Sequence, residues 1–362
     1  MDIKLKDTSF IFLLFQEYKK YGAIGNDMLN RAIGLSLFAD TTILLIECSP
    51  EFVKHVHEYC LGYKIKIINS KVEELINKNF TNNIIITHTW PKTLYFASKI
   101  FGIKNLILIE EILPLSDRLK KPHIKQTLKN KILTFKPVLR IITAKYRRTI
   151  KRAKKYIVIS DEQYNTCIKY YSLNPDFISY DPIASRFFNY KENPIRNSVL
   201  VFNNLCNNPE FIKIVEYLEI IGTSKIICIG TKKINKNLNN IKIECIESYK
   251  FQDISKIYEG ALICITDEYR GSFELIPIES LASGVPIITP YVPSIGVLKN
   301  RVITGNNLPF FDYFKFLEMD LEIFKSWYNN VDKTRMDFSK KILNTFSPEN
   351  VAKEFLKNLK LI

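Results

Sequence analysis

Short apolar runs alternate with helical patterns along most of the chain, and this alternation limits the possible fold more than any other feature. Each run is four to six residues long, as expected for strands that are buried on both faces. Strands that alternate with helices are typical of a doubly wound parallel sheet. The sequence therefore predicts an α/β fold. The predicted strands are Phe10–Phe15, Thr42–Glu47, Ile65–Asn69, Ile84–Thr87, Asn105–Ile109, Tyr156–Ile159, Val199–Phe202, Lys225–Ile229, Ile241–Cys245, Ala261–Thr266 and Val285–Thr289.

The length of the chain predicts two domains. A chain of 362 residues with 46% apolar residues exceeds what one hydrophobic core usually serves. The segment Lys191–Ser198 is polar and contains a proline, as interdomain linkers often do. We therefore place the boundary there, with the first domain at 1–192 and the second beginning at 193.

The stretch Asp267–Pro290 predicts a phosphate site. It joins two apolar runs through a polar loop, a helix from Glu274 or Leu275 to Ala282, and Gly284, which can adopt the left-handed conformation that ends a helix. A loop of this kind directs the unpaired N–H groups and the positive end of the helix dipole to a ligand above the sheet. Such an arrangement favours phosphate.

The segment from Phe273 to Ile288 resembles the signature of GT-B glycosyltransferases of the family 4 type. The resemblance implies two Rossmann-like domains that face each other across a cleft, with a nucleoside-diphosphate sugar bound by the second. That domain would then end at 347, and the last helix, at about 348–362, would pack back on the first. The resemblance implies that Glu279 holds the ribose; the alternative is a glutamate on a helix surface. The donor-binding residues expected from the loop and the helix start are Arg270, Gly271, Ser272, Phe273 and Leu275.

The chain also departs from the family pattern. Gly271 stands where the family has its first glutamate, and Glu274 stands where it has a glycine, so Glu274 either replaces that acid in catalysis or only caps the helix. Asn203–Leu205 replace the Gly-Arg and lysine that grip the donor diphosphate in the family. Arg270 and Lys232 follow other predicted strands and are the expected substitutes, with Arg270 preferred.

Three features mark the first domain. Gly22 and Gly25 are expected in a loop between the first strand and the first helix, where they either approach a ligand or form a plain turn. His88 follows the fourth strand and either lines the cleft or is structural. By the resemblance, His88 lies on the acceptor side, and one of Glu110 and Glu111 faces the acceptor. Glu111 is the predicted catalytic residue of the two, together with Glu274 and His88.

The segment Arg118–Lys155 contains fifteen Lys and Arg residues and no Asp or Glu, which equals the net charge of +15 of the whole chain. Its interleaved apolar residues predict basic amphipathic helices, interrupted at Pro137, that dock on anionic lipid. Nucleic-acid binding and a merely solvated helix face are the alternatives. The predicted membrane-facing residues are Lys145, Arg147, Arg148, Lys151 and Arg152.

The cysteines and the lengths of the apolar runs predict a cytoplasmic protein, and the basic segment adds a peripheral location on the inner face of the membrane. Seven cysteines are scattered without a CxxC pair and are expected to be reduced. No apolar run is long enough for a membrane span, and the first is too short for a signal peptide. His55 and His57 are two apart in a helical pattern and so do not share a face, which argues against a metal site.

The resemblance to GT-B glycosyltransferases, together with the predicted phosphate site, implies a metal-independent glycosyltransferase of the hexosyltransferase type. It would need no cofactor and would move a sugar from a nucleoside-diphosphate sugar to a glycan, a lipid-linked or a protein-linked acceptor, with retention by resemblance to the family. Two alternatives remain. One is a catalytically inactive GT-B-like binding subunit, favoured by the missing Gly-Arg and lysine. The other is a basic nucleic-acid-binding protein, which no accompanying motif supports.

Overall fold

The chain folds into two compact units. A computed structural model describes residues 5, 8–15, 22–76, 78–110, 141, 143–184, 196–202, 205, 211–230, 241–247, 254–267, 275–303 and 308–362. The first unit takes the described residues up to Ile183 together with Phe346–Ile362, and the second takes those from Ala184 to Thr345. The predicted linker falls largely on 185–195, which lies outside the described residues. Within the described part of the chain, no helix is long and apolar enough to cross a membrane.

The first unit alternates strands and helices in chain order. Its strands are β1 (Ser9–Phe15), β2 (Asp40–Ile46), β3 (Ile65–Ser70), β4 (Asn83–His88), β5 (Leu106–Glu110), β6 (Lys155–Val158) and β7 (Phe177–Ile178). Its helices are α1 (Gly22–Ser36), α2 (Pro50–Tyr59), α3 (Val72–Leu75), α4 (Pro91–Phe101), α5 (Ala144–Ile150) and α6 (Asp161–Thr166), with a 3-10 turn at Ile103–Asn105 and a π-helical turn at Cys167–Tyr171.

The seven strands of this unit form one parallel sheet in the order β3-β2-β1-β4-β5-β6-β7. The strand order reverses beside β1, because β2 lies on one side of it and β4 on the other. In open parallel sheets, ligands bind at the carboxyl ends of the strands at such a switch point. The end of β4 is therefore well placed for a ligand.

A buried cluster around Arg31 joins α1 to the chain that leaves β7. The Arg31 guanidinium donates to both carboxylate oxygens of Asp27, at 2.9 and 2.8 Å, and to Asp181 Oδ1 at 2.8 Å. It also donates to the Ser179 hydroxyl at 2.7 Å and to the Ser179 carbonyl at 3.0 Å. All three charged side chains are nearly inaccessible to solvent. Because buried charges are tolerated only when they are paired, the cluster fixes this segment on α1.

The last helix of the chain, α14 (Pro348–Asn358), packs on α1. A Cβ atom built on Gly34 would lie 2.0 Å from the Pro348 carbonyl oxygen and 3.0 Å from the Ala352 Cβ. The helices therefore approach so closely that only glycine fits at position 34. Just before α14, the Ile183 N–H donates to the Phe346 carbonyl at 2.9 Å. The segment that follows β7 is therefore paired with the segment that leads into α14.

The second unit repeats the same architecture. Its strands are β8 (Ser198–Phe202), β9 (Lys225–Ile229), β10 (Lys242–Ile246), β11 (Ala261–Ile265), β12 (Ile287–Thr289) and β13 (Phe310–Asp312). Its helices are α7 (Phe211–Ile220), α8 (Ile254–Glu259), α9 (Leu275–Ala282), α10 (Pro293–Val297), α11 (Tyr313–Phe316), α12 (Leu321–Asp332) and α13 (Arg335–Phe346), with a π-helical turn at Leu298–Val302. The last residue of α13, Phe346, belongs to the first unit.

The six strands of the second unit are also all parallel, in the order β10-β9-β8-β11-β12-β13. The predicted α/β fold with two parallel sheets is thus confirmed. The sequence did not predict β7 and β13, which contain two and three residues and lie at the edges of their sheets. Strands this short carry too little periodicity to be recognised.

Candidate functional site

The segment predicted to hold phosphate leaves the second sheet at its switch point. The strand order reverses at β8, which lies between β9 and β11. Beyond the end of β11, Thr266 is buried and its N–H donates to the Ile288 carbonyl at 3.0 Å, which holds the strand end against β12. The chain re-enters the described structure at Leu275, the first residue of α9. The predicted donor residues Arg270, Gly271, Ser272 and Phe273 and the candidate Glu274 lie outside the described residues.

The helix α9 ends as the sequence predicts. Gly284 has a φ of 69°, in the left-handed region that favours glycine, and its N–H donates to the Leu281 carbonyl at 3.0 Å. The Val285 N–H donates back to the Ser280 carbonyl at 2.9 Å, which completes the helix end. From Pro277 onward every residue of α9 is buried. The helix is therefore held firmly in the core of its unit.

Glu279 is a buried acidic residue on α9. Only 6% of its surface is exposed, and burial raises its pKa from the ordinary 4.5 to about 7. Among the described residues, none donates a hydrogen bond to its carboxylate. Beside it lies the Cys264 thiol on β11, whose pKa is raised by burial and further by the Glu279 charge. A buried carboxylate in this state is satisfied by protonation or by a ligand.

At the end of β5, the structure describes the first of the two glutamates, Glu110. The Thr89 hydroxyl donates to Glu110 Oε1 at 2.6 Å, and the Tyr156 hydroxyl donates to Glu110 Oε2 at 3.0 Å. Burial, followed by the Glu110 charge, raises the pKa of Tyr156 well above its usual range. Both carboxylate oxygens of Glu110 thus accept hydrogen bonds from the protein itself. Glu111 lies outside the described residues. His88 ends β4 and is fully buried.

Gly22 and Gly25 do not lie in a loop, and this prediction is wrong. Both belong to the first turns of α1, which begins at Gly22. The first N–H groups of a helix have no intrahelical acceptor, and a long apolar pattern from Met28 onward stabilises the helix as a whole. Glycine near the start of such a helix costs too little to prevent the first turn from forming.

The predicted membrane-facing residues lie on α5 and just after it. Lys145, Arg148, Lys151 and Arg152 are exposed, whereas Arg147 is half-buried. Ile150 is buried on the opposite side of the helix. The basic segment from 118 to 140, including the predicted break at Pro137, is outside the described residues.

Lys232 falls in 231–240 and is not described. In the part of the chain that is described, no group of three His, Cys, Asp or Glu side chains is arranged to hold a metal ion.

Cys228 is disulfide-bonded, so the prediction of reduced cysteines is wrong for this residue. Spacing along a chain does not reveal which cysteines a fold brings together. The other described cysteines are free: Cys48, Cys60, Cys167, Cys245 and Cys264.

Two side chains that support α9 were missed by the sequence analysis. Arg335 donates to the Gly284 carbonyl at 2.7 Å, and Ser339 donates to the Ala282 carbonyl at 2.5 Å. Both lie on α13, more than fifty residues further along the chain. No local pattern distinguishes one arginine among 52 basic residues, so the sequence held no signal for this contact.

Comparisons with known proteins agree with the two-sheet architecture. No protein-family model matches the chain, and no curated protein matches it either. Among solved structures, HepE from Anabaena in complex with UDP-glucose is similar, with 12% identity over 98% of this chain and 100% of that one and a TM-score of 0.64. A glycosyltransferase from Rickettsia africae is 14% identical over 98% of both chains, with a TM-score of 0.60.

Sucrose-phosphate synthase from Thermosynechococcus elongatus is 10% identical over 98% of both chains, with a TM-score of 0.58. At such low identity, these likenesses concern the fold alone. The assignment to family 4 accordingly stays a prediction. The chain has the GT-B fold, with two parallel-sheet α/β domains.

Proposed function

We propose that the protein is a glycosyltransferase that binds a nucleoside-diphosphate sugar in its second unit and transfers the sugar to an acceptor bound by its first. The observation that carries this proposal is Glu279, a buried carboxylate that accepts no hydrogen bond from the described residues, on the helix that follows the switch point of the second sheet. An ionised carboxylate is a strong acceptor for the two hydroxyl groups of a ribose. The solved structure of HepE with UDP-glucose makes that sugar nucleotide the first donor to test.

In the proposed reaction, negative charge develops on the diphosphate as the glycosidic bond to the sugar breaks. The N-terminus of α9 and the cation Arg270 would stabilise this charge, with Lys232 as a further candidate, so that no metal is required. His88, Glu111 and Glu274 are the proposed catalytic residues around the sugar and the acceptor. Retention of the anomeric configuration is the proposed outcome, by resemblance to family 4.

The proposal predicts that replacing Glu279 by alanine strongly weakens donor binding. Loss of charge-assisted hydrogen bonds is expected to raise the Kd for UDP-glucose by roughly 10- to 100-fold per bond, at about 1.5–3 kcal/mol each. Calorimetric titration would measure this, and release of UDP from UDP-glucose would report turnover. Glu219→Ala, an exposed glutamate on α7, is the matched control.

The possible outcomes separate the candidate functions. Binding without UDP release, for every acceptor and nucleotide sugar supplied, would indicate an inactive binding subunit. Unchanged affinity in Glu279→Ala would remove this residue from the site. Absence of binding across a panel of nucleotide sugars would contradict the proposal as a whole.

We further propose that the exposed cations of α5 and the turn after it dock on an anionic membrane surface at the inner face of the cytoplasmic membrane. Each cation near such a surface contributes about 1 kcal/mol. Replacing Lys145, Arg148, Lys151 and Arg152 together by glutamine is therefore expected to weaken binding to phosphatidylserine vesicles by roughly three orders of magnitude at low salt. Vesicle sedimentation measures this change.

A second variant controls for net charge in that experiment. Replacing four exposed lysines elsewhere on the first unit removes the same charge and is expected to leave vesicle binding nearly unchanged; these are Lys64, Lys66, Lys78 and Lys104. Equal losses in both variants would indicate a nonspecific charge effect. Binding of the wild-type protein to RNA or DNA with a steep salt dependence, and no binding to vesicles, would favour the nucleic-acid alternative.

A further inference from the structure

The C-terminal end of α9 is held by one buried arginine, Arg335. Arg335 is 3% exposed, and its guanidinium reaches two elements of the proposed donor site. One nitrogen donates to the Gly284 carbonyl, at the end of α9, at 2.7 Å. Another donates at 2.8 Å to the carbonyl of Leu262, in β11. The same side chain therefore joins the strand before the donor segment to the helix after it.

The Leu262 carbonyl lies where the strand pairing is interrupted. Ala261 pairs with Ser198 and Ile263 pairs with Val199, so Leu262 is an extra residue in β11 and the register shifts across it. The extra residue of a bulge is left outside the regular ladder of hydrogen bonds. Likewise, Gly284 lies just past the last residue of α9, so its carbonyl has no partner within the helix. Arg335 thus supplies donors to two groups that their own elements leave unsatisfied.

Arg335 is itself held in one orientation. Its Nε donates to Asp332 at 2.5 Å, and one of its terminal nitrogens donates to the Tyr328 hydroxyl at 2.9 Å. The guanidinium carbon lies 5.6 Å from the centre of the Tyr328 ring. A planar guanidinium with five donors fits this set of acceptors, and a lysine ammonium with a single nitrogen does not. One turn further along α13, Ser339 adds a second contact to α9 through the Ala282 carbonyl.

From this geometry we infer that Arg335 is a positioning residue for Glu279, which sets the depth at which α9 presents the Glu279 carboxylate to a nucleoside-diphosphate sugar. The inference rests on the proposed function. Glu279 lies within one and a half turns of the carbonyls that Arg335 and Ser339 hold. Movement of α9 by a fraction of an ångström changes the hydrogen bonds that this carboxylate can make, because such bonds depend steeply on distance and angle.

The test compares Arg335→Lys and Ser339→Ala with Lys340→Met, which changes an exposed residue of the same helix. We expect Arg335→Lys to raise the Kd for UDP-glucose at least tenfold and Ser339→Ala to raise it about threefold. In both, kcat at saturating donor should fall less than the Kd rises. Lys340→Met should match the wild type in every measurement.

The pH profile of donor binding distinguishes positioning from a loss of folded protein. In the wild type, affinity for UDP-glucose should fall as the pH drops through about 7, because Glu279 becomes protonated. A looser α9 exposes the carboxylate, so in Arg335→Lys this fall should move to lower pH. A merely destabilised protein would bind less at every pH without shifting the midpoint.

The results of these measurements distinguish failure of the positioning role from failure of the proposed function. If the wild type binds UDP-glucose, and Arg335→Lys keeps both its affinity and its pH midpoint, the positioning role is wrong while the proposed function stands. If the wild type binds no nucleotide sugar, the proposed function itself fails. Should Arg335→Lys not fold, Ser339→Ala carries the test: an unchanged Kd and an unchanged pH midpoint in that variant would overturn the inference.

Discussion

Replacing Glu279 by glutamine is expected to stabilise the ligand-free protein at neutral and alkaline pH while it weakens donor binding. Burial holds the pKa of this glutamate near 7 instead of 4.5, so ionisation in the folded state costs on the order of 3 kcal/mol. The unfolded chain has no such cost. The glutamine variant does not have this ionisation cost at any pH. The variant also lacks the charge that a ribose hydroxyl would contact.

The pH dependence of this effect follows from the sign of the shift. Because the folded state holds its proton to a higher pH than the unfolded state, wild-type stability falls as the pH rises from about 4.5 to about 7 and the full loss is present above 7. The Tm difference between variant and wild type should therefore grow across this interval, to roughly 5–10 °C at pH 8.

Thermal denaturation of the ligand-free protein from pH 4 to pH 9 measures the change. A fixed packing cost of the glutamine would displace the Tm by the same amount at all pH values, so the slope of the difference is the diagnostic quantity. A Tm difference between the variant and the wild type that does not vary with pH would show that Glu279 is not buried in the ionised form. Saturating UDP-glucose should stabilise the wild type more than the variant.

Loss of the Arg31 guanidinium is expected to produce the largest destabilisation in the first unit. Arg31→Met leaves Asp27 and Asp181 buried without a cation, which costs about 3–5 kcal/mol. Burial, then the Asp27 charge, already raises the pKa of Asp181 well above its usual value, against the opposing effect of Arg31. The destabilisation should therefore be greatest near neutral pH and smaller at pH 4–5, where protonation of Asp181 removes one of the unpaired charges.

Urea denaturation at pH 7.5 and pH 4.5 would test this expectation. Arg148→Met changes an exposed arginine and should shift the free energy of unfolding by less than about 0.5 kcal/mol. Adding Asp27→Asn and Asp181→Asn to Arg31→Met should recover part of the loss, because the uncompensated charges are then gone. A loss in Arg31→Met that is equal at both pH values would assign the effect to packing instead of charge.

The parts of the fold that depend on local periodicity were predictable. The alternation of apolar runs and helices predicted both parallel sheets, and Gly284 after an apolar helical pattern predicted the end of α9. These signals are local, because a strand buried on both faces and a helix stop each leave a mark within a few residues. Gly22 and Gly25 show the limit of such signals, since glycine near a helix start looks the same as glycine in a loop.

The contacts between distant segments could not be read from the sequence. Arg31 and Asp181 are 150 residues apart, and Arg335 and Leu262 are 73 apart. Composition gave no reason to choose these arginines from the many basic residues of the chain. The burial of Glu279 was equally hidden, because a glutamate in an amphipathic pattern is usually at the surface. Only the packing of β11, α9 and α13 reveals that its carboxylate is enclosed.

The close fit between Gly34 and Pro348 also governs the order in which the protein can be completed on the ribosome. Roughly three hundred residues separate α1 from α14, which is on the order of 15–60 s of translation at typical rates. During that time the whole second unit emerges and can fold, while the α1 surface around Gly34 is not yet covered by α14. The first unit is therefore the first to be synthesised and the last to complete its folding.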